Sequence, residues 1–277
     1  GIAALHSPWT AVVSYPAVAR ALADDLAACG GSVHTGCEVT ALRHERDGVV
    51  LVHRHGTVRA GGVVLCAGGF ADRLAVGERG PRDPRLVPFR GAYMALRPER
   101  AALVNGLIYP VPDPDLPFLG MHFTRTVEDE VIVGPTALMV GAVDAYRLRR
   151  VSLRDAGTAL AWPGTWRLMR RWWRTGLHEL RIAASARAFL AEARRYVPAL
   201  EPDDLVPARA GVRAQPVDRD GGLVDDFVIV ADRRVLNVRS APSPAATSAV
   251  VLGRHIAERA EAAFGLPRTI TTEETTP

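Results

Sequence analysis

The stretch Val235-Leu-Asn-Val238-Arg239-Ser240-Ala241-Pro-Ser-Pro-Ala-Ala-Thr-Ser248, with the run from Ala249 to Ala260 behind it, decides how the chain is read. Val235 to Val238 is a short β-prone run after the charged turn Asp232-Arg233-Arg234. Pro242 and Pro244 forbid continued sheet pairing and stiffen a turn. Thr247 or Ser248 can cap a helix whose apolar positions Val250, Val251, Ile256, Ala257 and Ala260 recur at helical spacing and which fades at Phe264-Gly265. Strand, loop of small residues and helix N-terminus in succession leave backbone N–H groups free, a place that suits an anion or a polarised carbonyl. A plain surface turn before a packing helix gives the same pattern.

Working outward, the flanking segments supply the rest of an α/β chain. Pro16 opens a helix with Val18, Ala19, Leu22 and Leu26 on one face, ended by Gly30-Gly31. Val33 to Val39 and Ala41 to Arg46 read as strands, Asp47-Gly48 as a hairpin turn into Val49 to His53, and Gly56 as a further turn. Val63-Val-Leu-Cys-Ala-Gly-Gly69 is an apolar strand stopped by two glycines, which suits a buried strand whose end approaches a ligand closely and equally suits an ordinary strand end. Pro81 to Pro84 reads as a linker. Beyond it Val87 to Leu96, Leu107 to Val111, Phe118 to Thr124 and Val131 to Val133 form a second set of strands. Leu153 to Trp162, Trp166 to Trp173 and Leu177 to Tyr196 read as helices, with Pro163-Gly164 and Gly176 as breaks. Ala210 to Gln215, a Gly221-Gly222 hairpin and Phe227 to Ala231 return the chain to strands. The expected layout is a discontinuous domain of residues 1–85 and 206–266, an inserted mixed-sheet domain of residues 86–205, and a disordered polar tail at 267–277. An active site is expected where the two meet.

The chain has 277 residues, 48% of them hydrophobic and 23% charged, which is the composition of a globular protein with a sizeable core. Its net charge of +4 comes from arginine, since lysine is absent. The acidic residues are interspersed and no basic recognition motif appears, so a nucleic-acid partner is not expected. Cys29, Cys37 and Cys66 form no CxxC pair and are odd in number, which fits a reducing, cytoplasmic setting rather than a disulfide framework. No apolar run approaches the length of a membrane span.

Seven short strings, in order, carry a family resemblance: Leu5-His-Ser-Pro8, Pro88-Phe-Arg-Gly91 with Tyr93, Leu107-Ile-Tyr-Pro-Val-Pro-Asp-Pro114, Pro117-Phe-Leu-Gly-Met-His-Phe-Thr-Arg125, Gly134-Pro135, Ala210-Gly-Val-Arg-Ala-Gln215 and Ala241 to Ser248. Together they resemble the L-2-hydroxyglutarate oxidases and dehydrogenases, members of the D-amino-acid-oxidase-like FAD enzymes, over Leu5 to Leu266. The sequence departs from the family pattern at Thr10-Ala-Val-Val-Ser14, at Ala92 after Arg90-Gly91, at Thr136 after Gly134-Pro135, and at Ser240 before Ala-Pro-Ser-Pro. No GxGxxG occurs in the 277 residues. Members of the family open with a strand–GxGxxG–helix unit that admits the FAD pyrophosphate. The resemblance therefore implies a Rossmann-like FAD-binding domain lacking its N-terminal GxGxxG unit, with an inserted α+β substrate domain, the C-terminal two-thirds of such an enzyme.

Oxidising a 2-hydroxy acid requires that a carboxylate be clamped, the hydroxyl proton removed and the Cα–H aimed at the flavin. Arginine suits the clamp because its planar fork pairs bidentately with carboxylate. Arg213 resembles the carboxylate-binding arginine of amine- and amino-acid-oxidising relatives. His122 lies in an apolar strand, where a lone histidine is either a hydrogen-bonded structural residue or, near neutral pH, a general base. Tyr93 and Arg125 are candidates for the distal carboxylate of a diacid. For the flavin, the resemblance points to Gly68, Gly69 and the loop Pro244, Ala245, Ala246, Thr247 and Ser248, with the Val39 backbone at the adenine. His53 and His55 alternate on one strand face without a third ligand, so no metal site is expected. Arg170-Arg-Trp-Trp-Arg174 reads either as a helix that buries tryptophans or as an interfacial anchor at the inner membrane face for an enzyme passing electrons to quinone.

These readings converge on an FAD-dependent oxidation of a 2-hydroxy acid, L-2-hydroxyglutarate to 2-oxoglutarate, with oxygen or quinone as electron acceptor. The alternatives are an amino-acid or glycerol-3-phosphate oxidising flavoenzyme of the same fold, and an inactive remnant that does not hold FAD.

Overall fold

The computed structural model describes residues 3–75, 83–111, 120–241 and 245–267. Among them α1 (Tyr15–Ala28) precedes the strands β1 (Val39–His44), β2 (Val49–His53), β3 (Gly56–Ala60) and β4 (Val63–Leu65), and the short helix α2 (Ala71–Ala75). Next come β5 (Arg85–Leu96), β6 (Leu107–Ile108), β7 (His122–Arg125), β8 (Val131–Gly134) and β9 (Leu138–Met139). The helices α3 (Leu153–Leu160), α4 (Pro163–Arg171), α5 (Trp173–Ala184) and α6 (Ala186–Ala193) are followed by β10 (Leu205–Val217), β11 (Val228–Asp232), β12 (Val235–Ser240) and α7 (Ala249–Phe264).

The chain divides into two compact units, Gly1–Val33 with Asp83–Val224, and His34–Arg82 with Asp225–Pro277. The expected division after residue 205 differs from the observed one after Val224, and the reason is strand pairing. β10 runs antiparallel to β5 along its whole length, from Leu205 opposite Leu96 to Val217 opposite Arg85, and this binds it to the first unit.

In the first unit the sheet order is β10-β5-β8-β7-β6, with β9 also paired to β5. The sheet has core on both sides: Val87 and Phe89 of β5 and Val217 of β10 pack with Leu168 of α4 on one, and the larger cluster lies on the other. Leu96, Val104, Phe123, Val131 and Val133 pack there with Ile182 of α5 and Phe189, Leu190 and Ala193 of α6. A bulge in β10 between Pro207 and Ala210 faces β5 at Ala92 to Met94. Such a bulge bends its strand and redirects the side chains beside it. The ends of β5 and β10 are tied by Arg100, whose Nε donates to Asp204 Oδ2 at 3.0 Å, and by Arg97, whose Nε donates to the Asp203 carbonyl.

In the second unit β1-β2-β3 form an antiparallel meander, and β11-β12-β4 a second small sheet in which β12 and β4 are parallel. Val49, Val63, Leu65 and Val235 form its core. Every residue of β12 is buried.

Several local expectations need correction. Val33 to Val39 is not a strand, because Thr35-Gly36 forms a turn with Gly36 at φ +72. The apolar strand from Val63 ends at Leu65, and Gly68-Gly69 lie instead in a 3₁₀ turn leading into α2. Gly176 is interior to α5, its N–H bonded to the Trp172 carbonyl. The run from Leu177 to Tyr196 is broken at Ser185, which is extended and whose hydroxyl accepts from Ala188 N, making it the N-cap of α6. β7 starts at His122; the expected strand residues Phe118 and Leu119 lie outside the described residues, as do Pro81 and Arg82 of the expected linker, the prolines Pro242 and Pro244, and the tail from residue 268. His53 ends β2, whereas His55 lies in the turn after it. The apolar face expected on α1 is not covered, since that helix has no buried residue.

Candidate active site

Strand register builds the site in the first unit. Met94 on β5 is opposite Val133 on β8, and Val133 is opposite Phe123 on β7; this row faces the core. Side chains alternate along a strand, so the adjacent row faces the other way. That adjacent row is Tyr93, Gly134 and His122: Gly134 pairs with His122, and a Cβ on Gly134 would lie 3.0 Å from Tyr93 Cδ1 and 3.3 Å from its Cα. Gly134 adopts φ +141 and packs closely on Tyr93 and the Ala92 carbonyl, where no side chain fits. Arg213 on β10 is opposite Phe89, four residues before Tyr93 on β5, which sets it on the same side of the sheet.

The electrostatics agree with this grouping. Burial pushes the Tyr93 phenol above its ordinary value, while the Arg213 guanidinium pulls it down and Tyr109 adds to the rise. Burial holds the His122 imidazole below its ordinary 6.5, opposed by a hydrogen bond to the Gly120 backbone and reinforced by the positive charge of Arg213. His122 Nδ1 lies 3.0 Å from the Gly120 carbonyl oxygen. A carbonyl only accepts, so Nδ1 carries the proton and Nε2 is left as the basic nitrogen of the neutral ring. A cation, two phenols and a neutral imidazole on one sheet face can hold a carboxylate and take a proton from a neighbouring hydroxyl.

The loop after β8 is held in place from two sides. Thr136, 2% exposed, accepts from Ala92 N through Oγ1 at 3.1 Å, and its own N–H donates to the Ala92 carbonyl at 3.1 Å. Glu179 of α5 accepts from Ala137 N at 2.7 Å; burial raises its carboxyl above the ordinary range despite that hydrogen bond. Gly91 is required where Pro135 crosses, because a Cβ there would approach Pro135 Cβ to 2.7 Å.

Arg125 is corrected. It is three residues from His122 on the same short strand and therefore on the core side of the sheet. Its Nη1 donates to the carbonyls of Ala101 and Val104 at 3.3 and 3.1 Å, and its Nε to Asp129 at 3.1 Å. It closes a 3₁₀ turn and is not part of the Tyr93–His122 row.

In the second unit, the two loops singled out for a cofactor leave adjacent parallel strands at the same end. β4 leads to Gly68-Gly69, and β12 leads to the segment Ala241 to Ser248. Ligands of open α/β sheets gather at such C-terminal strand ends. Gly68 has φ +52, and nothing lies within 4 Å of where its Cβ would be. Ser248 occupies the N-cap position of α7 without a side-chain capping bond, so backbone N–H groups remain the polar offer there. The residues from Ala245 to Ser248 are small, and all but Ala245 are exposed. These features fit a flavin-type cofactor, which accepts backbone hydrogen bonds and needs close main-chain approach. Pro244 lies outside the described residues. Val39 opens β1 and is half-buried. Among the described residues no group of three or more His, Cys, Asp or Glu could hold a metal ion.

Sequence reasoning missed Tyr109 and the pair Asp72–Arg239. Tyr109 stood inside the quoted string Leu107-Ile-Tyr-Pro. Arg239, the one charge in the run Val235 to Ser240, was the available signal for the other.

A fold of this kind, with a cofactor-type loop pair in one unit and a cation–phenol–imidazole face in the other, belongs to the flavin-dependent oxidoreductases. The chain is a member of the FAD dependent oxidoreductase family, whose model matches residues 1–259. It is 40% identical to a mitochondrial L-2-hydroxyglutarate dehydrogenase of Nematostella vectensis over 96% of this chain and 62% of that protein. It is 39% identical to the L-2-hydroxyglutarate dehydrogenase of Escherichia coli K12 over 94% of this chain and 62% of that protein. The chain thus spans just over three-fifths of the length of these relatives. Among solved structures, it resembles an FAD-bound L-alpha-glycerophosphate oxidase of Mycoplasma pneumoniae (TM-score 0.58, 17% identity, 92% of this chain and 56% of that one). It also resembles a glycine oxidase of Geobacillus kaustophilus (TM-score 0.54, 22% identity, 92% and 58%). At those identities the likeness concerns the fold.

Proposed function

We propose that the chain is the greater part of an FAD-dependent enzyme that oxidises L-2-hydroxyglutarate to 2-oxoglutarate. The observation that carries this reading is the Tyr93–Gly134–His122 row with Arg213 on the same face. The likeness to L-2-hydroxyglutarate dehydrogenases supports it. The Arg213 guanidinium clamps the carboxylate next to the reacting carbon, as a rigid planar fork does best. His122 Nε2 takes the hydroxyl proton, since the neutral ring is ready to accept it and burial keeps it neutral. Tyr93 donates its O–H toward the remaining carboxylate. FAD, when bound, supplies the two-electron acceptor for the hydride leaving the hydroxyl-bearing carbon. Gly68, Gly69, Ala245, Ala246, Thr247 and Ser248, with Pro244 and the Val39 backbone, are the contacts proposed for it. In this reading the unit His34–Arg82 with Asp225–Pro277 serves the flavin, and the unit Gly1–Val33 with Asp83–Val224, which holds Arg213, serves the substrate.

The final electron acceptor is proposed to be oxygen or a quinone. No helix of the described residues is long and apolar enough to cross a membrane. α4 and α5 expose Trp166, Met169, Trp173, Leu177 and Leu180, and Arg171 and Arg174 lie over the rings of Trp172 and Trp173. Arginine with interfacial tryptophan favours an anionic lipid surface, so peripheral contact is part of the proposal. Sedimentation with anionic and with neutral vesicles tests it; equal or absent binding to both removes it.

The test of the central proposal is spectroscopic. The protein is incubated with FAD, desalted and titrated anaerobically with L-2-hydroxyglutarate, the D enantiomer, glycerol 3-phosphate and glycine. Bleaching of a retained flavin by L-2-hydroxyglutarate alone is the expected result. Bleaching by glycine or glycerol 3-phosphate in its place would move the assignment to those substrate classes.

A further inference from the structure

Tyr109 has no part in the proposed reaction, yet its ring lies against that of the proposed base. It follows β6, the edge strand beside β7, and its ring is 4.8 Å from that of His122, centroid to centroid, with the planes tilted by 31°. Stacking at this distance restricts the imidazole to one orientation. The Gly120 carbonyl already fixes the second degree of freedom, because Nδ1 must point toward it. We infer that Tyr109 is a positioning residue: its ring, together with the Gly120 carbonyl, holds the His122 imidazole with Nε2 presented as the base and screens one ring face from water.

The groups facing His122 bear this out. Arg213 approaches from β10 and Tyr93 from β5, and both reach the site from the far side of Gly134. Tyr109 covers the β6 side. It is 47% exposed, so it contributes little to the core. Its electrostatic effect on Tyr93 shows that its own phenol lies within reach of the same cluster. The ring, not the hydroxyl, is the part that the stacking uses. Phenylalanine should therefore replace it, and alanine should not.

This inference rests on the reading of His122 as base, and its test has an arm independent of that reading. Histidine-selective ¹⁵N NMR of the protein, with the His122 signal assigned by its loss in His122→Gln, reports the protonated nitrogen and the titration midpoint. The expected results are an Nδ1-protonated neutral ring in the unsubstituted protein, the same tautomer and midpoint in Tyr109→Phe, and a midpoint raised toward the ordinary value with mixed tautomers in Tyr109→Ala. In the FAD-loaded enzyme, Tyr109→Ala lowers kcat/KM on the order of tenfold or more through misplacement of the base, and Tyr109→Phe restores it. An unchanged tautomer and midpoint in Tyr109→Ala overturn the inference, whatever the activity. An NMR change without hydroxyglutarate oxidation keeps the positioning role and instead removes the substrate assignment. Thermal melts of both variants should match the parent; a Tyr109→Phe variant that melts early and also loses the tautomer would mean that the phenol is structural, which overturns the inference as well.

Discussion

Arg239 donates from Nε and Nη2 to a single oxygen of Asp72, at 3.2 and 2.9 Å, in the interior of the second unit. Arg239 is the penultimate residue of β12 and Asp72 lies in the first turn of α2, so the pair ties together the two segments proposed to contact the flavin. Both side chains are nearly inaccessible, at 5% and 11% exposure. Removing one partner breaks a buried, hydrogen-bonded charge pair, which costs about 3–5 kcal/mol in measured cases. Arg239→Ala and Asp72→Ala are each expected to lower stability by that amount in urea unfolding. The same variants should retain less FAD after desalting.

The two arginines first considered for substrate carboxylates should separate cleanly. Arg213→Met removes the cation on the sheet face, and KM for L-2-hydroxyglutarate should rise about thirtyfold or more, the lower end for a lost charge partner. Arg125→Gln breaks hydrogen bonds to Ala101, Val104 and Asp129 and should lower stability by about 1–3 kcal/mol with KM unchanged. Steady-state kinetics and unfolding on the same preparations check both.

His122 carries a pH prediction whose sign follows from its environment. Its folded value is depressed below 6.5, so as pH falls through 6.5 the unfolded chain takes up a proton before the folded one. Stability from this group is therefore whole above that pH and declines below it, until the folded value is passed. The acid limb of kcat/KM should lie on the same side, below 6.5, because the neutral ring is the proposed base. His122→Gln should flatten the stability loss between pH 7 and 5 and lower kcat about 10²–10⁴-fold. Denaturation midpoints across that range are the measurement.

Gly134→Ala combines two penalties. At φ +141 any side chain is strained, and a Cβ would lie 2.8 Å from the Ala92 carbonyl oxygen and 3.0 Å from the Tyr93 ring. A loss of about 1–3 kcal/mol is expected from backbone strain alone. The methyl group also presses on Tyr93, so substrate binding should weaken even at a temperature where the variant stays folded. Isothermal titration with 2-oxoglutarate on the folded variant tests this.

The parts of this architecture legible in the sequence were those decided locally. β12, the turn at Arg233 and α7 with Gly265 in the left-handed conformation at its end follow from propensity, turn chemistry and capping. What escaped was set by pairing between distant segments. β10 joins the first unit through its ladder with β5, and nothing in Ala210 to Gln215 itself names that partner. Asp72 meets Arg239 because β4 and β12 pair in parallel, a register that no local signal encodes. Arg125 is different. Its odd spacing from His122 already implied opposite faces of a strand, and that parity outweighed the attraction of a nearby charge. Tyr109 became visible once β6 was found beside β7.

The row Tyr93–Gly134–His122 is also a gauge. Its outer members are two strand spacings apart, about 10 Å between their backbones, because each neighbouring pair is held at about 4.5–5.5 Å by the ladder. That separation belongs to the hydrogen-bonded sheet, and no rearrangement of side chains can widen it. A molecule lying across Gly134 is therefore measured against a fixed span. A series of α-hydroxy diacids of increasing length should meet a sharp cut-off, and only replacement of an outer side chain, Tyr93 by a shorter residue above all, can reset it.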